Sequence, residues 1–148
     1  MSFNLEYRVA ATALSIRAIS MSLRAFLENV DVISNFASMI ELAIAEGMNN
    51  VLEHAYSGRT SGKMRIVVQW DDTVLTVSIY DQGQEPNRNR VNSMLPPPEI
   101  GDDFPLASNL ACEGRGLFIM ESLMDSLDYH REGNENCLTM TKMLQGNS

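Results

Sequence analysis

The chain has 148 residues, 45% hydrophobic and 20% charged, which is the make-up of one ordinary globular domain burying roughly two-thirds of its extended surface on folding. Nineteen acidic against eleven basic residues leave a net charge of −8, which argues against a nucleic-acid or anionic-membrane surface. Cys112 and Cys137 fit neither a disulfide framework nor a metal-ligand spacing, Met1 to Leu5 lacks the basic start of a signal peptide, and no apolar run approaches the ~20 residues of a membrane span, so a cytoplasmic protein is expected.

Residues 2–10 read as an edge strand. From Thr12 to about Val30 the pattern is helical: Ile19, Leu23, Phe26, Leu27 and Val30 share one stripe, and Arg17, Ser20, Arg24 and Glu28 the opposite one. A longer helix is predicted from about Asn35 to Tyr56, with Phe36, Ile40, Ile44, Gly47, Val51 and Ala55 inward, and Ser57-Gly58 and Ser61-Gly62 break it. Two strands follow, Lys63–Trp70 and Thr73–Asp81, turned by Asp71-Asp72. The stretch from Gln84 to Glu113 then holds all five prolines (Pro86, Pro96, Pro97, Pro98 and Pro105); at that length it is either a lid, a binding loop or a passive insert. A third helix is predicted over Gly116–Met124, and a last hairpin pairs Ser126–Arg131 with Cys137–Leu144 across Gly133-Asn134. Helices and hairpins segregate along the chain, which predicts an α+β two-layer sandwich: helices on one face of a mixed, mainly antiparallel sheet, in a single domain over residues 1–148.

Three places break the pattern. On the second helix, a spacing of ~100° per residue gathers Glu46, Asn49, Asn50, Glu53 and His54 on one face. Asparagine is a poor mid-helix residue, and an ordinary wet face would more naturally carry Lys, Gln or Arg. The alternative to a wet face is a carboxylate and an amide oxygen one turn apart: the oxygen suits a hard cation such as Mg²⁺, and the carboxylate suits orienting or deprotonating a nucleophile. On the second strand Leu75, Val77 and Ile79 point inward, and strict alternation puts Asp81 on the same face, either capping the strand exit or accepting from an exocyclic amine such as that of adenine. Gly83, two residues on, allows close approach of backbone or ligand. Finally, Gly114-Arg115-Gly116-Leu117 opens a helix, where free backbone N–H groups can hold phosphate, although the Walker pattern is absent.

Taken in order, an asparagine on a helix, Asp-x-Gly after a strand, a proline-rich lid at about 84–113 and Gly-x-Gly on a helix resemble the nucleotide-binding boxes of the GHKL ATPase superfamily. Within it, Glu46-Gly-Met-Asn-Asn50-Val-Leu-Glu-His54-Ala-Tyr56 is similar to the first box of the anti-sigma-factor serine kinases. Gly114-Arg-Gly-Leu-Phe-Ile-Met-Glu-Ser-Leu-Met-Asp125, Tyr129-His-Arg-Glu-Gly133 and Leu138-Thr-Met-Thr-Lys142 fit the same family, so the resemblance covers nearly the whole chain.

What the resemblance implies is a Bergerat-type sandwich that binds ATP with Mg²⁺. Glu46 would be the general base for a protein serine, and Asn50 the magnesium ligand. Asp81 would take the adenine with Gly83 beside it, and Gly114, Arg115, Gly116 and Leu117 would meet the phosphates under the lid. His54 sits in the motif without an assigned role. The partners implied are a STAS-domain anti-anti-sigma factor and a sigma factor or other regulator, docked near the first helix at Arg17, Ser20, Arg24 and Glu28; a homodimer is left open. The chain departs from the family pattern twice. Asp81-Gln-Gly83 continues as Gln84-Glu-Pro86 instead of a further glycine and an apolar residue, and Glu135-Asn136 stands where Gly-Thr is usual, which implies the loss of a second polar contact to the adenine. A non-catalytic, nucleotide-dependent binding protein is therefore the alternative to a kinase.

Overall fold

The computed structural model describes residues 2–56, 62–84 and 112–144. Strand β1 (Phe3–Ala10) leads into helix α1 (Ala13–Leu27) and helix α2 (Ala37–Asn50); strands β2 (Lys63–Trp70) and β3 (Val74–Asp81) follow, then helix α3 (Cys112–Leu123) and the hairpin β4 (Ser126–Glu132) and β5 (Glu135–Met143).

The strands form one sheet in the order β1-β2-β3-β5-β4, antiparallel at every junction rather than mixed. The reason lies in the last hairpin. Strand β4 runs in the same direction as β3, as a helical crossover requires, but β5 folds back between them and converts that parallel relation into two antiparallel pairings. Asp71 sets the β2–β3 turn: its Oδ1 accepts from the Thr73 N–H at 2.7 Å and the Val74 N–H at 2.9 Å. At the other hairpin Gly133 takes φ of +63°, the left-handed conformation that glycine adopts without strain.

All three helices cover one face. Row by row, the residues facing them are apolar: Tyr7, Ile66, Ile79, Leu138 and Tyr129 line up across the five strands. Ile66, Ile79 and Leu138 are buried, and Ile40, Ile44 and Met48 of α2 sit over them. Gly47 explains itself here. A methyl at that position would lie 2.5 Å from Ile79 Cδ1 and 3.3 Å from Leu138 Cδ2, so the helix can rest directly on the sheet only because the side chain is missing.

Helix α1 starts where expected, with the Thr12 hydroxyl accepting from the Ser15 N–H at 3.0 Å. It ends at Leu27, before Val30, because the Asn29 amide donates to the Ala25 carbonyl at 2.7 Å and the chain turns away. Phe26 leaves the core stripe and stacks edge-on against Trp70, 5.6 Å between centroids. Helix α2 is preceded by a 3₁₀ turn (Ser34–Phe36) and followed by a π-helical turn (Val51–Ala55), closed by the Tyr56 N–H on the Val51 carbonyl at 3.1 Å. No helix among the described residues is long and apolar enough to cross a membrane.

Candidate functional site

The apolar rows of the sheet give way at one end to a polar one. In register, Val9, Met64, Asp81, Asn136 and Arg131 stand side by side on the helix-covered face. Asp81 is 2% exposed and Asn136 is fully buried. An unpartnered carboxylate there would cost several kcal/mol. Instead Asp81 Oδ1 accepts from the Asn136 amide at 2.8 Å and from the Gly83 N–H at 2.9 Å. Burial still pushes the Asp81 carboxyl above its ordinary pKa; the hydrogen bonds from Asn136 and Gly83 and the charge of Arg131 pull it back, and Glu135 adds to the rise.

The loop leaving β3 is pinned to the end of the second helix. The Gln84 N–H donates to the Ala55 carbonyl at 2.8 Å, and any side chain at Gly83 would run into that same backbone, 2.6 Å from the Ala55 carbonyl carbon. Gly83 thus serves close packing of backbone on backbone. Tyr56 clamps the same corner, donating its hydroxyl to the Lys63 carbonyl at 2.6 Å and accepting from the Gln82 N–H at 2.9 Å.

Glu46 and Asn50 project from α2 toward the opening of α3. A methyl group on Gly116 would lie 3.1 Å from Glu46 Oε2 and 3.4 Å from Asn50 Oδ1, so both oxygens face one point, which the bare glycine leaves clear. Burial, and then the charge of Glu53, raise the Glu46 carboxyl above the usual glutamate value. The π-turn beginning at Val51 sits directly after Asn50, a kind of irregularity found often at functional sites.

Helix α3 begins at Cys112, not Gly116. The expectation stopped at the glycines because each costs a helix about 1 kcal/mol, yet close approach to Glu46 and Asn50 requires one. Gly114 and Arg115 lie in the first described turn of this helix. The side chains of Arg115, Leu117 and His54 lie outside the described residues, as do residues 85–111 of the expected lid and Ser57, Gly58 and Ser61 of the expected break.

The structure thus brings Glu46, Asn50 and Gly116 together, joins Asp81 to Gly83, and links the two sets through Ala55. Arg17, Ser20, Arg24 and Glu28 take no part; the first three lie on α1 and Glu28 caps its end. Two residues escaped the sequence reading. Alternation back from Leu138 puts Asn136 inward, and alternation from Leu127 and Tyr129 puts Arg131 inward, the same signal that singled out Asp81. Asn136, which stands where the family pattern has Gly-Thr, puts its amide on Asp81.

Among the described residues no three His, Cys, Asp or Glu side chains converge as a metal site. Magnesium does not require that. It keeps several waters and takes one or two protein oxygens besides phosphate, so a single amide oxygen such as Asn50 Oδ1 fits that need.

The profile of the histidine kinase-like ATPase domain matches residues 9–142. Among curated proteins the chain is similar to the serine-protein kinase RsbW of Listeria innocua, 28% identical over 106 residues, which are 71% of this chain and 64% of that protein. RsbW of Halalkalibacterium halodurans is 32% identical over 72% of this chain and 62% of its own length. RsbW of Staphylococcus aureus is 24% identical over 95% of this chain and 87% of its own. The matched stretch therefore spans slightly under two-thirds of the Listeria protein. In fold, the chain is similar to the structure of the RsbU and RsbW domains of a Mycobacterium tuberculosis protein, with TM-score 0.60 at 21% identity, covering 95% of this chain and 32% of that one. A blue-light activated histidine kinase of Erythrobacter litoralis gives TM-score 0.54 at 22% identity, covering 92% of this chain and 42% of that one. The chain belongs to the histidine kinase-like, or GHKL, ATPase family, and the curated proteins it is similar to are RsbW serine-protein kinases.

Proposed function

We propose that the chain is an ATP-dependent protein serine kinase that phosphorylates a STAS-domain antagonist and sequesters a sigma factor or other regulator. The observation that carries this reading is the convergence of Glu46 Oε2 and Asn50 Oδ1 on the point beside Gly116. Asn50 holds Mg²⁺, which when bound neutralises charge on the phosphates. The N–H groups of Gly114 and Arg115 take phosphate oxygens, and Asp81 accepts from the adenine amine. A serine hydroxyl is a weak nucleophile. As its Oγ bonds to the γ-phosphorus and the bond to the bridging oxygen of ADP breaks, Glu46 accepts the hydroxyl proton. A carboxylate whose pKa is raised by burial is the stronger base for that task. Incubation with γ-labelled Mg-ATP and a STAS-domain protein is expected to yield labelled phosphoserine. ATP binding without any transfer would favour the non-catalytic binding protein instead.

The docking surface proposed for these partners is the outer arc of α1. Leu14, Arg17, Met21, Arg24 and Glu28 fall within ~80° of one another at helical spacing. Leu14 is 77% and Met21 66% exposed, an apolar strip that the sequence reading did not single out. Arg24 is spent on Glu28 at 3.0 Å and on Glu41 at 3.6 Å, whereas Arg17 has no ion pair among the described residues. Arginine beside exposed apolar side chains is a common make-up of surfaces that carry binding energy. Changing Arg17 and Met21 together to alanine is expected to weaken partner binding on the order of tenfold or more, with ATP affinity and melting temperature unchanged. Unchanged partner affinity would move the docking site off this helix.

A further inference from the structure

Asn136 is fully buried, and every polar atom of its side chain is used. Its Nδ2 donates to Asp81 Oδ1 at 2.8 Å and to the Gln84 carbonyl at 2.9 Å. Its Oδ1 accepts from Arg131 Nη1 at 2.7 Å, and the same guanidinium nitrogen reaches the Gly83 carbonyl at 3.2 Å. A guanidinium only donates, so the amide atom facing it must be the oxygen; the NH₂ group is thereby directed at Asp81 and Gln84. Asp81 Oδ1 is filled by Asn136 and by the Gly83 N–H, and no described residue donates to Oδ2. The row therefore offers a ligand an acceptor and keeps both amide hydrogens to itself.

We propose that Arg131 is a positioning residue that sets the purine specificity of this site: by holding the Asn136 carbonyl and placing the row's one cation beside Asp81, it leaves only a carboxylate acceptor for the base, which selects a 6-amino over a 6-keto purine. The inference rests on the reading of Asp81 as the nucleobase acceptor. A 6-amino group donates to Oδ2; a 6-keto oxygen there meets a second acceptor and is rejected. Without Arg131 the Asn136 oxygen is left buried and unpaired. The amide cannot turn over to recover, because its NH₂ also faces the Gln84 and Gly83 carbonyls; instead the row loses its one cation, and the buried Asp81 carboxyl takes up a proton more readily. A protonated Asp81 presents a donor as well as an acceptor, and the distinction between the two bases fades. The charge of Arg131 is one of the influences that hold the Asp81 carboxyl down against burial. The other charged or titratable groups felt at Asp81 are Glu135, which raises its pKa, and Tyr129, whose own pKa burial and the Asp81 charge push well up. From β2 the neighbour in register is the apolar Met64.

The test compares Mg-ATP with Mg-ITP, which differ at position 6, amino against keto, and at N1, an acceptor in one and an N–H donor in the other, on wild type and Arg131→Met by calorimetry from acidic to neutral pH. Wild type is expected to prefer ATP, and Arg131→Met to lose on the order of tenfold in ATP affinity while ITP affinity holds, with the loss growing as pH falls. Equal losses for both nucleotides would reduce Arg131 to a support of the fold and overturn the proposal. In parallel, the Asp81 carboxyl carbon is titrated by NMR in the ligand-free protein, where the Met variant is expected to titrate at higher pH; an unmoved titration overturns the proposal even if no nucleotide binds. Failure of wild type to bind either nucleotide would remove the ATP reading itself, and the NMR titration would still decide the role of Arg131. If Arg131→Met does not fold, Arg131→Gln, neutral and polar, is expected to show the same shifts, and their absence in it is equally decisive.

Discussion

Replacing Asp81 by asparagine is expected to weaken ATP binding on the order of 10- to 100-fold while leaving stability at neutral pH equal to or above that of wild type. Binding suffers because the group offered to the adenine amine changes from a charged acceptor to an amide. Stability does not, because an asparagine oxygen can still accept from the Gly83 N–H and the Asn136 amide. The sign of the stability effect follows from linkage. Burial raises the Asp81 carboxyl above its unfolded value, so the folded state favours the protonated form. That advantage is present below the unfolded pKa and is lost as pH rises through the folded one. At neutral pH wild type carries the cost of a buried charge, and asparagine does not. Calorimetry with thermal melts over the acidic to neutral range checks both halves. An unchanged ATP affinity would take Asp81 out of the binding site, and a large loss of stability would make it a structural residue.

Glu46→Gln is expected to lower phosphotransfer by on the order of 10²–10⁴ while ATP still binds. The amide has the shape of the carboxylate and cannot take a proton. Wild-type transfer is expected to rise with pH through a pKa above the ordinary glutamate value, because burial and the Glu53 charge both raise it. The limb should vanish in Glu46→Gln and move to lower pH in Glu53→Gln. Single-turnover transfer to the STAS protein, read against pH, separates this from a defect in binding. Transfer at the wild-type rate in Glu46→Gln would leave positioning and metal to account for the chemistry.

Much of this molecule was legible along the chain because its strands and helices obey simple periods. Alternation located β2 to the residue and β3 to within one, and it put Asp81 on the buried face together with Leu75, Val77 and Ile79. A helical period of ~3.6 picked out Phe36, Ile40, Ile44, Gly47, Val51 and Ala55 as inward-facing; the last five are buried, and Phe36, in the 3₁₀ turn before α2, is half-buried. Boundaries were less legible. A glycine counts against a helix in any local reading, so α3 was started too late, although Gly116 is inside it for a reason that comes from another helix.

What the sequence by itself determined is the identity and order of the chemical groups: a carboxylate and an amide on one helix, a carboxylate ending a strand, glycines where close approach is needed. These follow from local periodicity, which depends only on neighbours in the chain. The tertiary structure decided which groups meet. Glu46 and Asn50 are 66 or more positions before Gly116, and only the packing of α3 on α2 brings them within contact of it. Asn136 lies 55 residues from Asp81 along the chain, and cross-strand register alone sets its amide on the carboxylate. Sheet register and helix packing are settled by the whole core at once, so alternation turns Arg131, Asn136 and Asp81 inward one by one, while their standing in a single row and the turning of a mixed sheet into an antiparallel one had no local signature.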